Sequence, residues 1–225
     1  MNRTLLVLAL ALAIPAAYAH DEKDDNGDIS RVNGSITAEA GHRYGDLDTV
    51  NGSIKVHEGA SADDVETVNG SVTLEDDAQV NSAETVNGSV RAGERVKVAR
   101  LVETVNGSIR FGFNSRVGGD VETVNGDITI KQTEVDGQVR TVSGDIIIGA
   151  RSLVRGGMLV EKQHGISFGR PRVPRIVIGP NAVVNGSLRF ERKVELFVHS
   201  SAKIGTVTGA TARPYTDTLP PRDSD

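Results

Sequence analysis

Aliphatic residues return along this chain in fixed columns, and the spacing of the columns predicts its architecture. The phrase Thr-Val-Asn-Gly-Ser starts at Thr49, Thr67, Thr85 and Thr104. Variant copies carry Asp127 or Asp145 in place of the serine, an early one lacks the threonine, and a late one reads Val184, Asn185, Gly186, Ser187. The turn positions Asn33, Asn51, Asn69, Asn87, Asn106, Asn125 and Ser143 lie 18 or 19 residues apart. That period is too short for two-helix repeats and fits one coil of a parallel β-solenoid.

Aligned on the asparagine, four columns are apolar. Two follow it: Ile36, Ile54, Val72, Val90, Ile109, Ile128 and Ile146, then Ala38, Val56, Leu74, Ala92, Phe111, Ile130 and Ile148. One polar residue separates them, the alternation of a strand with one face inward. Two precede it: Leu47 and Val50 in the second coil, with their equivalents elsewhere. These are three apart, which a straight strand cannot place on one face, so a bend or bulge is expected between them. Asn-Gly is expected to turn the corner by taking positive backbone angles. Aliphatic residues also recur every six positions, through Val50, Val56, Ala62, Val68, Leu74 and Val80, the rhythm of a three-sided coil. This rhythm outlasts the phrase, through Val154, Val160, Val184 and Phe190, and brings the expected total to about ten coils. The fold class is therefore all-β, a single-chain parallel β-solenoid, about 45 to 50 Å long at the usual strand spacing.

The chain divides into a leader over 1–19, an acidic segment over 20–28, a solenoid over 29–210 and a flexible proline-containing tail over 211–225. Within the solenoid, regular repeats run to 150 and degenerate basic coils follow from 151. Arg3, the apolar run 5–14 and the small residues Ala17 and Ala19 match a cleaved secretory signal, so the mature chain is expected in the periplasm, on the cell surface or secreted. The apolar run is too short to span a bilayer, and no later stretch is long enough. With no cysteine there is neither a disulfide nor a site for a lipid anchor. Proline-rich 169–175 is expected to loop out of the ladder, and both termini to protect the open strand edges.

With these columns laid out, the chain resembles the adhesin-like "toast-rack" family of bacterial envelope proteins, over about 26–150. Thr123, Val124, Asn125, Gly126, Asp127, Ile128, Thr129 and Ile130 show the pattern: a valine, a polar turn with glycine, then alternating aliphatics. The segment 178–188 is similar instead to the bactofilins, polymer-forming β-helical proteins that are largely cytoplasmic, from which the export signal departs. Both resemblances imply a scaffold or surface protein, and neither implies a catalytic residue.

Charge is distributed unevenly. Residues 20–84 hold 16 acids against 4 bases, net −12, and residues 150–193 hold 9 bases against 2 acids, net +7. Arg151, Arg155, Lys162, Arg170, Arg172 and Arg175 are thus candidates for contact with an anionic partner, either an envelope component or the acidic coils of another copy. Export and the shortage of aromatics argue against nucleic acid. The asparagines, with Asn185 in the late copy, are expected to stack as a turn ladder. Three positions before them, Asp48, Glu66, Glu84, Glu103 and Glu122 form an acidic column ending at Arg140. Stacked carboxylates repel, and the column is relieved by splaying, by raised pKa values or by a cation ladder with oxygen ligands. Histidines at 20, 42, 57, 164 and 199 have no metal-ligand spacing, and no catalytic or cofactor-binding set emerges. The function expected is a non-enzymatic envelope scaffold; the alternative is a carbohydrate-active β-helix enzyme or a polysaccharide-binding protein.

Overall fold

The structure, a computed structural model, describes residues 22–23, 27–163 and 172–217. The expected leader, most of the acidic segment, Arg170 with the first part of its loop, and the end of the tail lie outside the described residues. The described chain is a parallel β-solenoid of ten coils with three faces. The first face stacks Ile29–Asn33, Leu47–Asn51, the second halves of Ser61–Asn69 and Gln79–Asn87, then Val102–Asn106, Val121–Asn125, Val139–Thr141, Met158–Val160, Leu188–Phe190 and Val207–Thr208. The second face stacks ten strands from Ile36–Ala38 to Ala212–Tyr215. Short strands such as Lys97–Val98, Arg116–Val117 and Glu134–Val135 form the third. Hydrogen bonding divides these into a ten-stranded sheet, the second face, and a seventeen-stranded sheet that joins the third face to the first. The join is made by Ser61–Asn69 and Gln79–Asn87, which run through the corner.

Each face sends two side chains inward per coil. In the coil that starts at Leu47 these are Leu47 and Thr49, then Ile54 and Val56, then Ala60 and Ala62, all buried. Full burial of a Val, Leu or Ile contributes about 1.5–3 kcal/mol, so one aliphatic seam runs the length of the rod and holds the coils together. Aliphatic and small residues suffice because each coil fills only its own thin slice.

The first face differs from the sequence expectation. Its strands alternate strictly: Leu47 and Thr49 are buried, while Asp48 and Val50 point outward and are half-buried. There is no bend between Leu47 and Val50, because the inward residue is the threonine and not the valine. Burying a hydroxyl requires a partner, and each has one. Thr49 Oγ1 donates to Gly34 O at 2.9 Å, and Thr67, Thr85, Thr104 and Thr123 donate to the corner glycine of the previous coil at 2.8–3.0 Å.

The corner glycine also has a different role from the one expected. Of the series Gly34, Gly52, Gly70, Gly88, Gly107 and Gly126, only Gly34 has a positive φ. The others are required by stacking: a Cβ on Gly52, Gly70, Gly88, Gly107 or Gly126 would lie 1.8–2.0 Å from the carbonyl oxygen of the glycine one coil below. In eight of the ten coils a left-handed residue stands at the corner between the second and third faces. It is Gly41, Gly59, Asp77, Arg95, Asn114, Gln132, Arg151 and Asn181, with φ between 47° and 69°.

At the ends, Glu22–Lys23 pairs antiparallel with Ile29 and Ser30 and covers the first strand of the first face. The tail begins later than expected. Ala212–Tyr215 pairs in parallel with Glu195–His199, because its apolar and aromatic residues complete a tenth coil.

Candidate functional site

The outward surface of the first face is the most regular feature of the molecule. Parallel register places Asp48 beside Glu66, Glu66 beside Glu84, Glu84 beside Glu103, Glu103 beside Glu122 and Glu122 beside Arg140. Val50, Val68, Val86, Val105 and Val124 form a half-buried apolar column next to it, and the exposed asparagines follow. Two positions to the other side lie Asp28, Asp46 and Asp64. Asp28 and Asp46 accept backbone N–H groups from the coil above at 2.8 and 3.1 Å, and Asp64 accepts the Ser82 hydroxyl at 2.8 Å.

This packing keeps the acidic column from splaying fully into water. Burial first, and neighbouring carboxylates second, push Asp48, Glu66 and Glu103 up to about 7. Burial also raises Glu84. Two arginines bear on the column. Arg100 reaches Asp64 at 2.5 Å, and Arg140 lies between Glu122 at 3.4 Å and Glu161 at 3.7 Å. Among the described residues, no group of three or more His, Asp or Glu side chains is arranged to hold a metal ion. Burial and mutual repulsion thus oppose the charging of the column, and Arg100 and Arg140 act against that shift at Glu66, Glu84 and Glu103.

The asparagines stack as expected through Asn125. Asn51 Nδ2 donates to Asn33 Oδ1 at 3.1 Å, and Asn69, Asn87, Asn106 and Asn125 each donate to the asparagine below at 3.0 Å. Ser143 ends the run by donating to Asn125 Oδ1 at 2.7 Å. A parallel ladder explains the exchange of serine for aspartate. Ser53, Ser71, Ser89 and Ser108 each donate a backbone N–H to the serine hydroxyl below, Asp145 donates to Asp127, and Arg175 donates to Asp145. The position needs an acceptor, which a hydroxyl or a carboxylate supplies equally.

Asn185 does not belong to this ladder, contrary to the sequence expectation. Val183–Val184 pairs with Leu153–Val154 on the third face, and Leu188–Phe190 takes the next place on the first. The late Val-Asn-Gly-Ser therefore turns the corner between the third and first faces, where Gly186 stacks on Gly156.

Among the described residues, the basic candidates are tied to different partners and not to one patch. Arg155 is paired with Glu134 and Asp136, and Arg172 with Asp145 at 2.6 Å. Arg151 occupies a left-handed turn and donates to Gln132 at 3.2 Å. Lys162 donates its backbone N–H to Glu191 at 3.3 Å. The Arg175 guanidinium lies 4.6 Å over the Phe197 ring.

Phe197 belongs to a cluster that sequence reasoning missed. Val177, Phe197 and Tyr215 lie on the outer side of the second face yet are buried, with Arg175 and Arg213 over the Phe197 ring. The signal was present in the sequence. Ile146–Ile148, residues 176–178 and residues 196–198 are apolar at all three positions, where Ile54–Val56 alternates around Lys55.

Three surface depressions lie among the described residues. One on the third face is lined by Arg43, Asp63, Gln79, Lys97, Arg116 and Asp136 among others. A second adjoins Glu58, Glu75 and Arg91, and a third lies between Arg100, Glu103, Asp120 and Glu122. None of the three has an aromatic residue in its lining. No protein-family model, no curated protein and no solved structure matches the chain.

Proposed function

We propose that this chain is a non-enzymatic, exported protein of the bacterial envelope, acting as a scaffold or adhesin-like module of the toast-rack kind. The observation that carries the reading is the first face, which repeats the same outward triad of carboxylate, valine and asparagine in register from Asp48 to Asn125. A periodic face suits a long or multivalent partner, because every coil repeats the same weak contact and the contacts act together. Substrate clefts concentrate apolar and aromatic walls around a few polar groups, and the depressions described above lack the aromatic part.

Envelope fractionation combined with pull-down by the full chain tests the proposal. The expected result is the chain in the envelope fraction, retaining a macromolecular envelope component without cleaving it. Recovery from the cytoplasm overturns it. So does hydrolysis of an envelope polysaccharide that is lost in Asp63→Asn or Asp136→Asn. Self-association of acidic first coils with basic last coils predicts larger species at low salt than at physiological salt. A sedimenting monomer at both removes that part of the proposal.

A further inference from the structure

Six copies of Asn-Gly-Ser, at Asn33, Asn51, Asn69, Asn87, Asn106 and Asn185, put the same local sequence in six places. The fold does not hold them all alike. The amides of Asn51, Asn69, Asn87 and Asn106 are fixed at both ends, with Nδ2 donating to the coil below and Oδ1 accepting from the coil above, at 3.0–3.1 Å. Asn33 is held at one end, as the acceptor from Asn51. Asn185 is exposed at the other corner, and among the described residues its side chain has no hydrogen-bond partner. Register sets Arg155 and Gly205 in the coils on either side of it. Gly205 has no side chain, and Arg155 is committed to Glu134 and Asp136.

Asparagine before glycine is open to attack from its own backbone, because glycine places no side chain beside its nitrogen. We propose that Asn185 is a site of spontaneous covalent modification and that the asparagine ladder protects the other copies from the same reaction. The backbone nitrogen of Gly186 bonds to Cγ of Asn185 and loses its proton to water, and the side-chain nitrogen takes a proton back from water as its bond to Cγ breaks and leaves as ammonia. Water then opens the resulting cyclic imide at either carbonyl, leaving aspartate or isoaspartate at 185. No oxidant or cofactor enters. In the ladder, Cγ has to rotate toward the backbone, which breaks the bonds at both ends of the amide. Backbone stacking is common to both settings, since Gly186 and Gly88 each sit against the glycine one coil below. For Asn69 and Asn87 the amide bonds are the difference; at Asn33, Asn51 and Asn106 the attacking nitrogen is held as well, since Gly34, Gly52 and Gly107 each donate their N–H to an asparagine carbonyl of the next coil at 2.9–3.2 Å.

The product matters for the coil. An isoaspartate adds a methylene to the main chain at a corner where a Cβ on Gly186 would already lie 2.5 Å from Gly156. Either product places a new carboxylate in the basic part of the chain. This inference does not depend on the function proposed above.

Peptide mapping by mass spectrometry of the full chain, aged in mildly alkaline buffer at physiological temperature, tests it. The peptide with Asn185 is expected to convert roughly 30-fold faster than those with Asn69 and Asn87, the effect of two hydrogen bonds of ordinary net strength. Equal rates, or slower conversion at Asn185, overturn the proposal. In denaturant the rates are expected to converge, and a difference that persists there overturns it by placing the cause in local sequence. Asn87→Ala removes the donor to Asn69 and the acceptor for Asn106. Both are expected to convert faster while Asn185 keeps its rate, and unchanged rates at both remove the protective role of the ladder. Asn26, also followed by glycine, lies outside the described residues and is read separately in the same map.

Discussion

The seven coils through Ile146–Ile148 and the three that follow share one core and differ in what they show to the outside. On the second face, the middle residue of each early strand is polar: Thr37, Lys55, Thr73, Arg91, Arg110 and Thr129. From the seventh strand it becomes Ile147, Val177 and Phe197, and in the tenth it is polar again, at Arg213. Ile147 is 40% exposed and begins the change, whereas Phe197 is only 3% exposed. The first face changes over the same stretch, from carboxylates to Arg140, Leu159 and Arg189. The inner columns hardly notice either transition. Strand alternation is thus largely a record of solvent on the outer side: it lapses at Val177 and Phe197, which are covered, and one coil earlier at Ile147, which is not. The core sets the coil, and the outer columns are free to be specialised.

That separation is open to attack from the inside first. Gly88→Ala is expected to cost about 4 kcal/mol or more in denaturant unfolding, because the new Cβ would lie 1.8 Å from Gly70 O and two coils must move apart. Gly59→Ala, left-handed but facing open space, is expected to cost only about 1 kcal/mol. Equal losses would make backbone angle, and not stacking, the reason for the corner glycines.

The outer surfaces are compared next. Phe197→Ala is expected to cost about 3 kcal/mol by the same measurement, since it empties a buried cluster. Thr73→Ala, at the same strand position in an early coil, is expected to stay within about 0.5 kcal/mol. A small loss at Phe197 would show that the late coils wear an ordinary surface.

The acidic column gives the early coils a pH dependence. In the folded chain Asp48, Glu66 and Glu103 hold their protons up to about 7, whereas unfolded carboxylates release them near about 4. Between those values the unfolded state binds fewer protons, so stability falls as pH rises; above the window the loss is complete, and below it there is none. Thermal melts are expected to show a Tm higher at about pH 5.5 than at about pH 8, by roughly 5 °C for a chain of this size. Glu66→Gln is expected to flatten the slope. A Tm that rises across that range would mean the carboxylates are stabilised as anions.

The smallest effect is a gain. Arg151→Gly relaxes a left-handed residue and is expected to stabilise by about 0.5–1 kcal/mol in denaturant melts. A loss would mean that its bond to Gln132 outweighs the backbone cost.

Most of the ladder geometry was legible because it is periodic. Asn51 and Asn69 share a column in the sequence and in space, and so do Asp48 and Glu66, since a parallel solenoid converts an interval of one coil into a strand spacing. The basic residues were not legible as a group. Arg155 and Arg172 lie nearly one coil apart in sequence, yet each is tied to a different carboxylate, because the insertion between them breaks the interval and leaves Arg155 beside the third face and Arg172 beside the second.

Periodicity by itself determined that the chain is a three-sided β-solenoid of about ten coils, with aliphatic seams inside and an amide ladder at one corner. A repeated interval leaves the chain few other ways to bury the same columns. Only the tertiary structure decided that threonine faces in and valine out, that the corner glycines answer to stacking, and that Asn185 turns a different corner. The physical reason is common to all three. The facing of a residue in a short strand, and the need for a glycine, are set by the coil lying against it, and that neighbour is 18 or 19 residues away in most of the chain and 30 at the insertion before Asn185.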